Sequence, residues 1–381
     1  MPVYSTLCAA RPALAAFAAM GVLWGTFAAV LPDLMVLLRA GETRLGLVML
    51  VTPLAAVGGM LLAPRIGTAL GKVALPVATL AMAGAFAMPG QAQGLLAFAL
   101  AMMCCGAATG LTDILMNARV AEMENARGLP LMNLCHAAYS FGYAGGALAT
   151  GAMRSGQWPP GWVMGTAAFV AMTLAVLTWE RDGTIHGLRP PKGQAAAPLG
   201  WLPLIGGGIV LVAFLTENAA ENWSALHIEK TLGGSPAEGA MGPAALALTM
   251  GFARLAGQGF AARVNPYRLL GGGAVVASLG ALIAAGATSP MMAYAGFTVM
   301  GIGASVIAPT AFSLVGRLAR PEARARAVAR ATLWGYFGYF FGPPLLGFIA
   351  GSFGLRMAFV VAAGVLLAVI PLAKAMARSR G

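Results

Sequence analysis

Apolar runs of about 20 residues recur along the chain, and each is long enough to cross a hydrocarbon layer of about 30 Å. They fall near 12–38, 45–64, 73–90, 95–118, 131–152, 161–180, 201–226, 239–258, 269–288, 290–315, 330–350 and 355–373. The predicted fold class is all-α, a polytopic membrane protein with twelve transmembrane helices in two pseudo-symmetric six-helix bundles. Most connections are short. The longest polar one, RDGTIHGLRPPKGQAAAPLG (181–200), has the Pro, Gly and Ala content of a flexible linker. It divides the chain into an N-terminal bundle (1–180), a cytoplasmic linker (181–200) and a C-terminal bundle (201–381). The first run is too long for a signal-peptide core and shows no small-residue cleavage site.

Composition agrees with the pattern. Hydrophobic residues make up 59% of the 381 and charged residues 9%. Soluble domains carry about 25% charged residues, so this chain cannot cover a water-facing surface of ordinary make-up. The net charge of +12 is distributed unevenly. With the N-terminus inside, eighteen Lys and Arg fall on cytoplasmic segments against five on the other side. The excess of positive charge on inner loops orients the chain with both termini cytoplasmic. The basic stretch RPEARARAVAR (320–330) then reads as a loop beside anionic lipid. Nucleic acid is not implied.

An internal repeat supports two halves. GYAGGALATG (142–151) matches GYFFGPPLLG (338–347), setting Gly142, Tyr143, Gly146 and Gly151 against Gly338, Tyr339, Gly342 and Gly347. The offset is 196 residues, and it also sets Gly46 against Gly242. Shifted by one residue, GAATGLTD (106–113) falls on GASVIAPT (303–310). Small residues at these spacings let membrane helices approach closely and slide, and parallel repeated halves are a transporter plan.

On these features the chain resembles the major facilitator superfamily. Within it, GLTDILMNARVAEME (110–124), GLPLMNLCHAAYSFG (128–142) and ENAAENWSAL (217–226) resemble the small bacterial YbjJ-like and MosC-like group. The resemblance implies two bundles around a central cavity that opens alternately to each side, lined by spans one, four, seven and ten. It also implies the bacterial inner (plasma) membrane as location. The sequence departs from the family pattern in places. Between spans two and three the family has an Asp-Arg pair before a Gly, where this chain has Thr68 and Ala69 in GTALGKV (67–73). After span eight, Gln258 replaces the common Asp, so charge-based gating at those loops is put in doubt. In span seven Glu217 fits the group, Asn222 stands where it has Asp, and Glu221 is additional.

Ionisable groups within membrane helices are costly and point to function. Apart from Arg254, those well inside the spans are Asp33, Asp113, Glu217 and Glu221, on helices one, four and seven. Helix ten adds the hydroxyls of Ser305, Thr310 and Ser313. At about 1.5 Å per residue, Glu217 lies about 24 Å from a cytoplasmic start near Trp201, in the outer half. Glu221 is one turn further, near the outer interface, where solvation at a rim competes with a functional role. A spacing of four puts both carboxylates on one face, with Asn218 and Asn222 beside them. Like charges this close disfavour joint ionisation, so one carboxyl is suited to carry a proton.

Asp33, after Pro32, fits a cap, a rim or the outer pathway. Asp113 lies on the inner half of helix four, with Asn117 one turn below and Arg119 at the boundary. Arg254 lies at similar inner depth, fitting a structural ion pair or snorkelling. Gly142, Gly146, Gly338 and Gly342 are the candidate sliding contacts.

No cofactor or metal is implied. GTALGKV has three residues, not four, before its Gly-Lys, and lacks the Ser or Thr of a phosphate loop. The four cysteines and three histidines show no ligand spacing, and no nucleophile–base set suggests an enzyme.

The expected function is a monomeric secondary active transporter of a small polar solute, with protons as coupling ion. The acidic, amide and hydroxyl lining suits a cationic or polyhydroxylated solute, and the MosC-like resemblance implies a sugar- or inositol-related one. The alternatives are a drug or metabolite exporter, or a transporter-like receptor that binds solute without moving it. Against the receptor stands the short tail AKAMARSRG after Leu372.

The charge asymmetry generates a topology test. Reporter fusions at Gln194 and at Gly381 are expected to report cytoplasmic, and a periplasmic signal from either overturns the span count or the orientation.

Overall fold

The computed structural model describes residues 3–127, 131–185, 188, 199–261, 264–320 and 323–378. Most of the expected linker, including Gln194, lies outside the described residues, as does Gly381; of Gln258 only the helical backbone is described. Every element among the described residues is helical. In chain order they are α1 (Val3–Leu38), α2 (Glu42–Met49), α3 (Val51–Leu70), α4 (Ala74–Phe86), α5 (Leu95–Arg127), α6 (Met132–Ser155), α7 (Pro160–Val176) and α8 (Leu202–Leu226). There follow α9 (Pro236–Ala261), α10 (Pro266–Gly286), α11 (Pro290–Ala304), α12 (Ile307–Leu318), α13 (Arg324–Phe353), α14 (Leu355–Leu367) and α15 (Val369–Arg378).

Seven described segments are long and apolar enough to cross a membrane: Ala10–Leu38, Glu42–Gln91, Leu95–Glu124, Leu202–Thr231, Pro266–Gly286, Pro290–Leu318 and Leu355–Arg378. The second contains two of the expected spans, separated at Gly71, whose φ of +56° ends α3. Helices α6, α9 and α13 occupy the expected fifth, eighth and eleventh spans but are not among the seven. Their polar residues, among them Arg154, Arg254 and Tyr336, explain why.

Three expected single spans are each divided into two helices. The breaks fall at Leu50, at Ser305–Val306 and at Ala368. Each is followed within three residues by a proline: Pro53, Pro309 and Pro371. A proline has no N–H to return to the carbonyl four residues back, and its ring crowds that carbonyl. At the break, Ser305 Oγ turns back to the Ile302 carbonyl at 2.8 Å. Helix starts are also written locally. Asn265 accepts from the backbone N–H groups of Tyr267 and Arg268 at 3.0 and 3.3 Å, ahead of Pro266 in the first turn of α10. Ser235 and Glu238 cap α9 reciprocally.

The most extensive pairings are α1 with α6 and α8 with α13. Lipid is as apolar as a leucine side chain, so such pairs hold through close van der Waals fit at small residues. A methyl group added at Gly142 or Gly146 would strike the carbonyl oxygens of Ala18 and Val22 on α1. One at Gly338 would strike the Leu211 carbonyl on α8, and one at Gly342 would lie 3.1 Å from Asn218 Oδ1. Residues matched at the offset of 196 therefore do the same job in two places. A further matched pair behaves alike: Gly151 of α6 packs on Ala237 and Ala240 of α9, and Gly347 of α13 on Glu42 and Gly46 of α2.

Gly146→Val and Gly338→Val are expected to cost similar amounts, about 1–3 kcal/mol of overpacking each. Thermal melting of the purified variants checks this. Wild-type melting of either variant would show that these helices are not in close contact.

Candidate functional site

Three polar clusters lie along the bundle. The first is at the distal end, where α1 terminates. Arg154, in the last turn of α6, is buried with its side chain 1% exposed. Its Nε donates to Asp33 Oδ2 at 2.8 Å and its Nη2 to Asp33 Oδ1 at 2.6 Å. Its Nη1 donates to Glu229 Oε1 at 2.6 Å and to the Ala29 carbonyl at 2.9 Å, and its Nη2 also reaches Glu229 Oε2 at 2.9 Å. All five guanidinium N–H donors are used, two carboxylates being held bidentately. Glu229 sits on the π-helical turn His227–Thr231 that continues α8, a widened turn of the kind common at functional sites. Nearby, Lys230 donates to Glu42 Oε1 at 2.8 Å. The clamp ties α1 and α6 to the end of α8.

The second cluster is central. Arg254 of α9 lies 3.5 Å from Glu217 Oε1 on α8 and donates to Ser140 Oγ on α6 at 3.0 Å. Ser140 in turn donates to the His136 carbonyl at 3.2 Å. Glu221, half-buried, lies one turn beyond Glu217. Tyr139 and Tyr143 of α6 and Tyr339 of α13 are within electrostatic range of both carboxylates. Tyr339 stacks on Phe214 with ring centroids 4.6 Å apart.

The third cluster forms around Asp113 on α5. Asn117 Nδ2 donates to Asp113 Oδ1 at 3.0 Å and to its carbonyl at 2.8 Å. Tyr336 of α13 donates its hydroxyl to Asp113 Oδ2 at 2.8 Å. Asp113 thus has hydrogen-bond donors from two helices and, among the described residues, no ion-pair partner.

These positions revise several sequence expectations. Arg254, expected at the depth of Asp113, reaches Glu217, because an arginine stem spans more than a helical turn. Asp33, offered as a pathway residue, is engaged by the clamp. Glu221, expected near a solvated rim, is half-buried, and α8 runs on through the π turn to Thr231. Asn222 is buried and spends its amide on the Asn218 carbonyl at 3.1 Å. Arg119 is held by Glu180 and Glu122, each at 2.9 Å, and by the Asp182 carbonyl. Those partners pin the end of α5 to the segment after α7, a structural role. Thr310 is partly exposed on α12, and no hydrogen bond among the described residues joins its side chain to the three clusters.

Arg154, Glu229, Ser140, Tyr139 and Tyr336 were not singled out from the sequence. A charge count treats Arg154 and Glu229 as boundary residues. Tyr336 sits in LWGYFGYFFG, where two tyrosines amid glycines were the available signal. The lining expected from spans one, four, seven and ten gains α6, α9 and α13, the helices whose polar residues lower their apolar character.

Membrane-crossing helices that bring ionisable groups face to face in their interior define a multi-pass transport-type protein. A relative in Yersinia pestis, described as an uncharacterised MFS-type transporter, is 33% identical over 285 residues, covering 74% of this chain and 72% of its own length. The family described as Major Facilitator Superfamily matches residues 206–379. The chain belongs to the major facilitator superfamily. The membrane protein MosC of Rhizobium meliloti is 25% identical over 362 residues, covering 91% of this chain and 86% of its own. Among solved structures, the nucleoside transporter NupG superposes with a TM-score of 0.76 at 15% identity, covering 97% of this chain and 99% of its own. A D-xylose–proton symporter gives 0.74 at 14%, with 97% and 99% covered. At such identity the structures show the shared fold.

Removing one partner of a buried ion pair costs roughly 3–5 kcal/mol. Asp33 is a third exposed, so Arg154→Gln is expected to weaken distal closure by about 3 kcal/mol, the lower end of that range. An impermeant maleimide should then label a cysteine placed at Ala240, in a cysteine-free background, much faster than in the parent. Unchanged labelling would show that the clamp does not hold this end shut.

Proposed function

We propose that the protein is a secondary active transporter that moves a small polar solute by alternating access, coupled to protons. The chain Glu217–Arg254–Ser140 carries this reading. An ionised Glu217 holds Arg254 by charge, and Arg254 in turn bonds Ser140 on α6. When Glu217 takes a proton, the guanidinium loses its counter-charge and is left with a neutral hydroxyl. The charge balance of α8, α9 and α6 then depends on one proton, which is what coupling a rocking motion to a proton gradient requires. Asp113 serves as the counterpart nearer the end where α1 begins, positioned by Asn117 and Tyr336.

The proposed topology has twelve spans in two six-helix halves, 1–180 and 201–381. The matched glycine contacts of α1–α6 and α8–α13 support it. The proximal end, where α1 begins, is cytoplasmic with both termini, and the membrane is the bacterial inner membrane, in line with the charge asymmetry. The distal clamp then closes the periplasmic side.

Proteoliposomes with and without a pH gradient test the mechanism. Glu217→Gln removes the proton exchange at this carboxyl, so gradient-driven accumulation should fall to its level without a gradient, while exchange of labelled solute persists. Intact uphill transport by Glu217→Gln would exclude it as proton carrier. Asp113→Asn should insert normally and lower transport about tenfold or more, the equivalent of one charge-assisted hydrogen bond of about 1.5–3 kcal/mol. Full activity removes Asp113 from the pathway.

A further inference from the structure

The first half of the chain carries an apolar groove that the transport reading does not use. Helices α6 and α7 both pack on α1 but scarcely touch each other. The gap between them has a volume of about 400 Å³, with Leu14, Ala15 and Ala18 of α1 as its floor. Ala138 and Phe141 of α6 and Leu177 of α7 form its walls. Helix α7 otherwise packs on α4 of the same half, and Leu177 is exposed. The groove therefore opens on the flank turned away from the second half, where a membrane helix meets lipid. At its inner end Phe141 packs edge-on against Phe252 of α9, with ring centroids 5.1 Å apart.

The proximal end of the groove is charged. Arg11 lines it there, exposed, and its Nη2 donates to the Trp179 carbonyl at 2.6 Å. A guanidinium has five N–H donors, so four remain unused among the described residues. No carboxylate among those residues pairs with Arg11. Lys72, also exposed, has its Nζ 6.0 Å from the ring centroid of the same Trp179. The adjacent acid, Glu180, is taken by Arg119 at 2.9 Å. Tryptophan favours the membrane–water interface, so two cations flank an interfacial ring at the mouth of an apolar cleft. An empty cleft would forfeit dispersion contacts with its walls, and a lipid chain restores them. Any lipid supplies a chain, so the mouth decides which headgroup is held. A phosphate group with net negative charge accepts from Arg11 and is attracted by Lys72. A choline or ethanolamine headgroup brings a further cation beside two that are already there.

We infer that the groove between α6 and α7 binds one anionic glycerophospholipid, its phosphate bonded to Arg11 beside Lys72 and one acyl chain lying along α1 as far as Ala18. Arg11 and Ala18 are seven residues apart, so the chain follows the helix for about 10 Å. Because Phe141 lines the groove and also touches Phe252, the bound chain supports the face of α6 that meets the second half. Basic pockets between membrane helices recognise anionic headgroups on the same physical grounds. The site is separate from the central cluster and stands whether or not Glu217 carries a proton.

Thermal melting of the purified full-length protein in detergent tests it, with phosphatidylglycerol and phosphatidylcholine of identical acyl chains as probes. Phosphatidylglycerol is expected to raise the melting temperature saturably, by about 2–4 °C, where phosphatidylcholine does not. Soluble glycerol phosphate, which lacks the chains, should give no rise. Arg11→Gln should weaken the apparent affinity about fivefold, and Arg11→Lys, which keeps the charge, should retain most of it. Ala138→Leu leaves every charge in place but fills the groove, and should also weaken binding. Arg44→Gln, which removes an exposed arginine at the distal end, should leave it unchanged. Equal shifts from the two lipids, a shift from glycerol phosphate, or an affinity undiminished in Arg11→Gln or in Ala138→Leu overturns the inference. A loss in Arg44→Gln equal to that in Arg11→Gln overturns it too, since general charge attraction would then suffice.

Discussion

An ionised side chain at the centre of a bilayer costs about 2.5–3.5 kcal/mol on insertion scales even when it can rearrange. Each charge inside this bundle therefore needs a partner supplied by another helix, and that constraint organises the structure. Arg154 meets it completely, with five donors matched by two carboxylates and a carbonyl. Arg254 meets it through a carboxylate on one neighbour and a hydroxyl on another. Asp113 meets it with a phenol and an amide. In each case at least one partner lies on a different helix, so satisfying the charge also fixes how the helices sit against one another.

The small residues supply the complementary condition. Side chains of ordinary size would hold the backbones of α1 and α6 too far apart for the short hydrogen bonds at Arg154. Glycines at 142 and 146 allow α6 to lie against the carbonyls of α1, and Gly338 does the same between α13 and α8. Prolines add a third element, breaking three runs into six shorter helices without ending the apolar stretch. Polar pairing, close approach and local breaks are thus parts of one solution to packing in a medium that offers helices no hydrophobic drive to associate.

Much of this was legible in the sequence. The apolar runs located the helices, and the matched glycines marked helix pairs that do pack closely. Glu217 stood out because a carboxylate in an apolar helix is expensive. The partners were harder to read. Helix rise places a Cα to within a few ångströms, but an arginine side chain reaches beyond a turn, so Arg254 was assigned the depth of Asp113 and meets Glu217 instead. Arg154 and Glu229 were hidden by their position at helix ends, where a charge count assumes solvent. Their burial arises from tertiary packing, with α6 and the π turn after α8 closing over them. Glu221 is followed by more helix than the apolar run suggests: the run stops at Leu226, but the helical backbone continues to Thr231.

The distal clamp and the central cluster share one element. Glu217 and Glu229 lie on the same continuous helix, twelve residues and about 18 Å apart. A helix of this length transmits a tilt better than it absorbs one, and its close fit to α13 at Gly338 leaves little room for bending. In the proposed cycle, a change in charge at Glu217 that loosens Arg254 therefore acts on the same rod that ends in Glu229. The clamp must open when α8 tilts, because its bidentate geometry tolerates little displacement before paired N–H and oxygen atoms separate. In this proposal, coupling between Glu217 and the distal clamp needs no chain of intervening side chains. It follows from placing both charges on α8 and both of their guanidinium partners, Arg254 on α9 and Arg154 on α6, elsewhere.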